Sequence, residues 1–218
     1  MSAKNLVLAV DGSQRDQPLV LLVAGGGEIY WSAPIELPDP ALITAVKEAM
    51  LLHRDRIGSV VAVRGPGSYI GVRGGLAAGL GVAQSLGCPL ALLGALEVIA
   101  AQIDPAGEPV LALADAGRGG TFGQELEPGQ GKGPPIRWRP RGGAMLLGRG
   151  VPWPDAWSGR RLVVGVPGEG RQLPAEVISI DAVRDRRMAL AWSVTGGPDP
   201  IPGYDRVTAD YAEPVGAR

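Results

Sequence analysis

The residues best placed to do chemistry lie in two short stretches, RGPGSYIGVRGG at 64–75 and LAVDGS at 8–13. Gly65, Pro66 and Gly67 end the apolar run SVVAV at 59–63, and Ser68 stands where a helix could begin. A glycine turn between a buried strand and a helix is a place where backbone N–H groups and the helix dipole can hold a phosphate. Asp11 and Ser13 close another apolar run. Asp11, Ser13, Gly65, Gly67 and Ser68 therefore form a candidate nucleotide-binding set, and the chemistry would be that of an ATPase or kinase. Two features weigh against it: Pro66 has no N–H to give, and no lysine follows as in a Walker A loop.

Other reactive types are scarce. His53 is the only histidine, so neither a histidine pair for a metal nor a second imidazole for acid–base work is available. Cys88 is the only cysteine, which excludes an intramolecular disulfide; set between Gly87 and Pro89, it reads as a small buried hydrophobe. With 21 basic against 22 acidic residues, the chain offers no global field for nucleic acid or an anionic membrane. Two basic runs, RWRPR at 137–141 and RDRR at 184–187, could stack on bases or pair phosphates, but both read more simply as a solvated loop and a solvated helix face. No cofactor is expected, and no metal site.

The elements that would position these residues follow from periodicity. Residues 6–11, 19–24 and 28–33 read as three strands of an antiparallel meander, with Gly25, Gly26 and Gly27 as a turn. A helix at 40–53, the strand at 59–63, a glycine-rich helix at 71–86, a strand at 89–93 and a helix at 94–102 follow. Three hairpin strands followed by alternating helices and strands is the order of a ribonuclease-H-like lobe, a mixed α/β unit. Residues 104–107 make a turn-rich break, so lobes at 1–103 and 104–218 are expected, with the last residues packing back on the first. Strands at 109–115 and 121–126 around Gly119 and Gly120 echo the start of the chain, and suggest a duplicated, truncated unit. A Gly/Pro-rich loop at 127–135, strands at 161–166 and 177–180, and a helix at 181–195 capped by Asp181 complete the reading. The apolar stretch at 80–103 is interrupted by Gln84, Ser85, Pro89 and Glu97, and the run at 6–10 is too short for a signal peptide, so a soluble, cytoplasmic protein is expected.

The helix at 71–86 poses an energetic question. It holds Gly71, Gly74, Gly75, Gly79 and Gly81, and at roughly 0.8 to 1 kcal/mol each these glycines forfeit about 3 to 5 kcal/mol of helix propensity. Gly71, Gly75 and Gly79 lie four apart, and Gly74, Ala77, Ala78 and Gly81 extend a surface of small residues. Such a surface admits a second backbone, either from the chain's own sheet or from another protein.

LAVDGS, RGPGSYIGVRGG, LALADAGRGG at 111–120 and AEPVGAR at 212–218, taken in order along the whole chain, resemble the TsaB (YeaZ) family. The resemblance implies an actin-like (ASKHA) two-lobed fold with each lobe ribonuclease-H-like. It also implies a non-catalytic, scaffolding role in bacterial synthesis of N6-threonylcarbamoyladenosine at position 37 of tRNA. The implied partners are TsaD, which performs the transfer, TsaE joining through the complex, and a second copy of the chain when TsaD is absent; tRNA is met only through the complex. The family docks TsaD through its first helix and its glycine-rich helix, which carries over to Leu42, Val46 and Met50 and to Gly71, Gly74, Gly75, Ala78 and Gly79. On that reading a partner backbone offsets the lost propensity. The chain departs from the family pattern at Ile70, which lacks the usual hydroxyl, at Asp39, Pro40 and Ala41, and at Gly216 and Ala217.

Overall fold

A computed structural model describes residues 4–14, 17–33, 41–104, 108–129, 137–157, 162–173, 178–179, 184–195, 200–201, 207–209 and 212–214. The chain divides into two compact units, Met1–Ala95 with Leu190–Asp210 and Leu96–Ala189 with Tyr211–Arg218.

In the first unit, β1 (Leu6–Asp11), β2 (Leu19–Val23) and β3 (Ile29–Ser32) form an antiparallel meander, and β4 (Ile57–Val63) and β5 (Leu90–Leu93) add in parallel beside β1. The strand order is β3-β2-β1-β4-β5, and along the chain three strands followed by alternating helices and strands is the element order expected from the sequence. These strands read as unbroken apolar runs because both faces of the sheet are covered. Leu8, Val10, Leu22, Val60 and Ala62 pack with Val46, Ala49, Val72 and Leu76 of two helices, α1 (Ala41–His53) and α2 (Tyr69–Leu86). Ala9, Leu21, Val61 and Val63, pointing the other way, are buried as well.

Helix α2 begins at Tyr69, two residues before the expected start, despite the β preference of Tyr69 and Ile70. The cap is strong enough to decide it: Ser68 Oγ accepts the Gly71 N–H at 3.3 Å, and the Ser68 carbonyl accepts the Val72 N–H at 2.8 Å. At the other end Gly87 adopts φ 60°, and the Cys88 N–H reaches back to the Ala83 carbonyl at 3.0 Å. A short helix, α3 (Ala95–Ala100), follows β5.

The second unit repeats the first sheet. β6 (Val110–Gly117), β7 (Gly120–Pro128) and β9 (Met145–Leu147) form a meander, and β10 (Leu162–Gly165) and β11 (Ile178–Ser179) add in parallel beside β6. Strand for strand this is the same order and sense as in the first unit. β8 (Trp138–Pro140) pairs with β7, and β12 (Glu213–Pro214) lies parallel to β9 at the edge. The truncation lies in the connections: between β9 and β11 the described residues contain one 3-10 turn, Asp155–Trp157, where the first unit has α1 and α2. Leu111, Leu113, Leu147, Trp157 and Val163 make the core there. Helix α4 (Arg186–Thr195) starts five residues after the expected position. The cap is Asp185, whose Oδ1 accepts the Met188 N–H at 2.8 Å, whereas Asp181 lies outside the described residues. The loop expected from 127 is shortened, because β7 continues through Pro128; residues 130–136 lie outside the described set. So do Asp39, Pro40, Gly216 and Ala217. No described helix is long and apolar enough to cross a membrane.

Candidate functional site

The structure brings Asp11, Ser13, Gly65, Gly67 and Ser68 together, but as a closed junction. Asp11 is fully buried at the end of β1, and its Oδ1 accepts the Ser13 N–H at 2.8 Å. The Ser13 carbonyl accepts the Ser68 N–H at 2.7 Å. A Cβ on Gly67 would fall 2.3 Å from that same carbonyl oxygen, so the two loops touch backbone to backbone. Gly65 takes φ 101° before a cis bond to Pro66, and its carbonyl accepts the Ala95 N–H at 2.8 Å. The amide donors of Ser68 and Gly71, which would face a phosphate, are engaged within the chain.

The second unit holds a copy of this junction. Asp115 Oδ1 accepts the Gly117 N–H at 2.8 Å, as Asp11 does for Ser13. After β10, Gly165-Val166-Pro167-Gly168 stands where Gly65-Pro66-Gly67 follows β4, and the Gly168 N–H donates to the buried Thr121 Oγ1 at 2.8 Å. A Cβ on Gly168 would lie 2.0 Å from the Gly120 carbonyl oxygen. The sequence analysis placed a strand at 109–115 but missed Thr121 and Gly168; a strand followed by G-x-P-G was the available signal.

The small residues of α2 divide into two stripes. A Cβ on Gly71 would sit 2.1 Å from the Gly12 carbonyl oxygen, one on Gly75 3.3 Å from the Gly12 nitrogen, and one on Gly79 3.1 Å from Ala62 Cβ. These three glycines face the chain's own sheet, which corrects their assignment to a partner surface. Close approach of β1 and β4 is what their missing side chains permit. Gly12, unremarked in the sequence, is the counterpart: Gly12 and Gly71 cross with no room for a Cβ on either. Val46 is likewise core rather than interface, and Leu42 and Met50 are half-buried against the core.

The other stripe faces outward. Arg73, Ala77 and Gly81 are exposed, Gly74 and Ala78 half-exposed, and a Cβ on Gly81 would meet nothing within 4 Å. A Cβ on Gly74 would lie 3.8 Å from Leu42 Cδ2, so α1 runs beside this stripe. Large apolar side chains are exposed on the same two helices: Leu51 and Ile70 at 82% each, with Ile43, Leu52 and Tyr69. Arg73 lies over the Tyr69 ring, 3.9 Å from its centroid. Ile70 falls at helical spacing with Gly74, Ala77 and Gly81, and these exposed positions of α1 and α2 are the candidate site of the first unit.

Cys88 is buried, and that burial pushes its thiol above the usual range, against a smaller opposing pull from Lys4. Among the described residues no three His, Cys, Asp or Glu side chains come together as metal ligands. In the basic runs, Arg141 pairs with Glu125 at 3.2 Å and Glu127 at 3.4 Å, Arg184 pairs with Asp104, and Arg187 with Asp185 at 3.7 Å.

Residues 35–127 match the family model described as TsaD: tRNA N6-adenosine threonylcarbamoyltransferase. No curated protein matches the chain. Among solved structures, YeaZ from Pseudomonas aeruginosa aligns at TM-score 0.65 and 21% identity, over 95% of this chain and 99% of that one. A protein described as having similarity to peptidase YEAZ from Pseudomonas aeruginosa aligns at TM-score 0.66 and 20% identity, over 96% of this chain and 100% of its own. At such identities the likeness establishes the fold, the actin-like α/β arrangement expected from the sequence. The family-model match spans α1 and α2, and the whole-length likeness to the YeaZ structures shows that the chain shares their fold.

Proposed function

We propose that the chain is a non-catalytic subunit of the assembly that makes N6-threonylcarbamoyladenosine in tRNA, docking the transferase TsaD through α1 and α2, with TsaE joining through that complex. The observation that carries this reading is the outward face of the two helices. Ile43, Leu51, Leu52, Tyr69 and Ile70 expose apolar surface on these helices, and Ile70 falls at helical spacing with the small residues Gly74, Ala77 and Gly81. Burying exposed apolar area gains roughly 25 cal/mol per Å², and small residues let a partner helix approach closely. The family-model match over 35–127 spans both helices and supports tRNA threonylcarbamoylation as the setting.

A scaffolding role also fits the chemistry of the chain. With one histidine, it has no pair of imidazoles for a metal-assisted transfer. Its phosphate-loop donors are engaged within the chain, the Ser68 N–H by the Ser13 carbonyl and the Gly71 N–H by Ser68 Oγ. On this reading a second copy of the chain occupies the same face when TsaD is absent, and the complex works in the cytoplasm.

The test is co-purification with tagged TsaD, followed by a transfer assay with TsaE, ATP, the threonylcarbamoyl donor and tRNA. Wild-type chain is expected to co-purify with TsaD and to stimulate transfer while doing none alone. Ile70→Glu and Ala77→Arg, both on exposed positions, should weaken association at least tenfold with a folded chain. Equal association by both variants, or transfer by the chain without TsaD, would refute the proposal.

A further inference from the structure

Of the basic residues singled out by the sequence, Arg141, Arg184 and Arg187 pair with the chain's own carboxylates, whereas a second basic group, passed over there, makes no such pair among the described residues. His53 ends α1, and Arg54, Asp55 and Arg56 form the 3-10 turn that leads into β4. Across from them, Tyr30 and Trp31 sit on β3, an edge strand of the first sheet. The Arg56 guanidinium lies over the Tyr30 ring, 4.3 Å from its centroid. His53 meets Tyr30 edge-on, with centroids 5.4 Å apart and planes at 84°, and stands 6.3 Å from Trp31.

Among the described residues, Arg54 and Arg56 make no ion pair, and Arg56 Nε is shielded without a hydrogen-bond acceptor. The neighbouring acids, Asp55 and Glu28, are both exposed and pair with neither arginine. Among the described residues the Arg56 side chain is therefore oriented by an aromatic ring and not by an anion. Stacking fixes the plane of the guanidinium and lowers the entropy lost when its outer N–H groups take up an anion. Tyr30, exposed at 44%, leaves part of a ring for a flat group beside that anion.

We infer that Tyr30, His53, Arg54 and Arg56 form a docking point for the phosphodiester backbone of an RNA strand. A planar cation stacked on an aromatic ring, with a second arginine two residues before it in the same turn, suits a phosphate with its adjacent base. The choice of RNA over an acidic polypeptide rests on the reading of this chain as a subunit of a tRNA-modifying assembly. Because the chain carries net charge −1, the contact is local and salt-sensitive, and it positions RNA held elsewhere in the assembly.

The test uses the full chain and a fluorescently labelled tRNA transcript, with anisotropy read at 50 and 200 mM salt; association with TsaD is scored separately, so that failure of the two proposals can be told apart. Wild type is expected to bind weakly at the lower salt and to lose that binding at the higher. Arg54→Glu, an exposed position touching none of the rings, and Arg56→Glu should each weaken binding about tenfold. Arg141→Glu, already paired with Glu125 and Glu127, should change it less than twofold. Unchanged binding by Arg54→Glu and Arg56→Glu, no binding by wild type, or displacement of the tRNA by polyglutamate at equal charge would overturn the inference.

Discussion

The glycines of α2 predict a graded series of stabilities whose order comes from distances in the structure. At Gly81 a Cβ would meet nothing within 4 Å, so Gly81→Ala recovers helix propensity alone, about 0.8 to 1 kcal/mol. At Gly79 the same gain is set against Ala62 Cβ at 3.1 Å and Val60 Cγ1 at 3.5 Å; a shift of a few tenths of an ångström absorbs that, and the net change should be near zero. At Gly71 the new Cβ would lie 2.1 Å from the Gly12 carbonyl oxygen, about 1 Å inside ordinary contact. Both sides of that clash are backbone, so β1 and α2 must separate. Overpacking costs about 1 to 3 kcal/mol where side chains can yield, and here the cost should reach about 3 kcal/mol or more. In a chain of this length 1 kcal/mol moves the melting temperature by about 2 to 4 °C. Thermal melts followed by circular dichroism should therefore show Gly81→Ala higher by about 2 to 4 °C, Gly79→Ala close to wild type, and Gly71→Ala lower by at least about 6 °C. A Gly71→Ala chain as stable as wild type, or a Gly81→Ala chain less stable, would show that the buried stripe has been put on the wrong side of the helix.

Three further outcomes follow from single contacts. Gly168→Ala should destabilise the second unit by about 3 kcal/mol or more, because its Cβ would fall 2.0 Å from the Gly120 carbonyl oxygen; amide exchange should rise in β6, β7 and β10, and uniform protection would refute this. Arg171 donates to the Gly148 carbonyl at 3.0 Å and to the Val151 carbonyl, and stacks on Trp153 at 4.6 Å. Arg171→Met should cost about 1 to 3 kcal/mol in urea unfolding, with no loss expected if those bonds contribute nothing. Burial raises the Cys88 pKa, so its thiolate is populated only at pH above the ordinary thiol range. Native chain at pH 7.5 should react with a thiol reagent far more slowly than urea-unfolded chain, and equal rates would contradict its burial.

What the sequence made legible depended on where side chains carried contrast. The strands of the first unit stood out because runs such as LVLLV at 19–23 are apolar throughout, the pattern of a sheet covered on both faces. Ser68 was readable as a cap because its hydroxyl type and place before the helix suffice. The direction of α2 was not readable, since Gly74, Ala77 and Gly81 are as small and uncharged a set as Gly71, Gly75 and Gly79. Only the sheet behind them distinguishes the stripes. In the second unit the missing contrast was of another kind: with few intervening helices, its sheet gives no alternation of periods 3.6 and 2. The residues that fix it are Thr121 and Gly168, one hydroxyl and one absent side chain.

The two units carry the same device, and its state bears on function. In each, an Asp at a strand end accepts the N–H two residues on, Asp11 from Ser13 and Asp115 from Gly117. In each, a glycine after the fourth strand of the sheet presses on the turn that follows the first: Gly67 on Ser13, Gly168 on Gly120. Such paired turns could present amide groups to a phosphate if they stood apart. Here the Ser68 N–H is taken by the Ser13 carbonyl and the Gly168 N–H by Thr121 Oγ1. A phosphate would have to displace buried hydrogen bonds and separate backbones already in contact, at a cost of about 1 to 3 kcal/mol for each buried group left unpaired. The junctions thus hold strand to helix, and under the proposed function docking falls to the exposed helix face, where Ile70, Ala77 and Gly81 need displace only water.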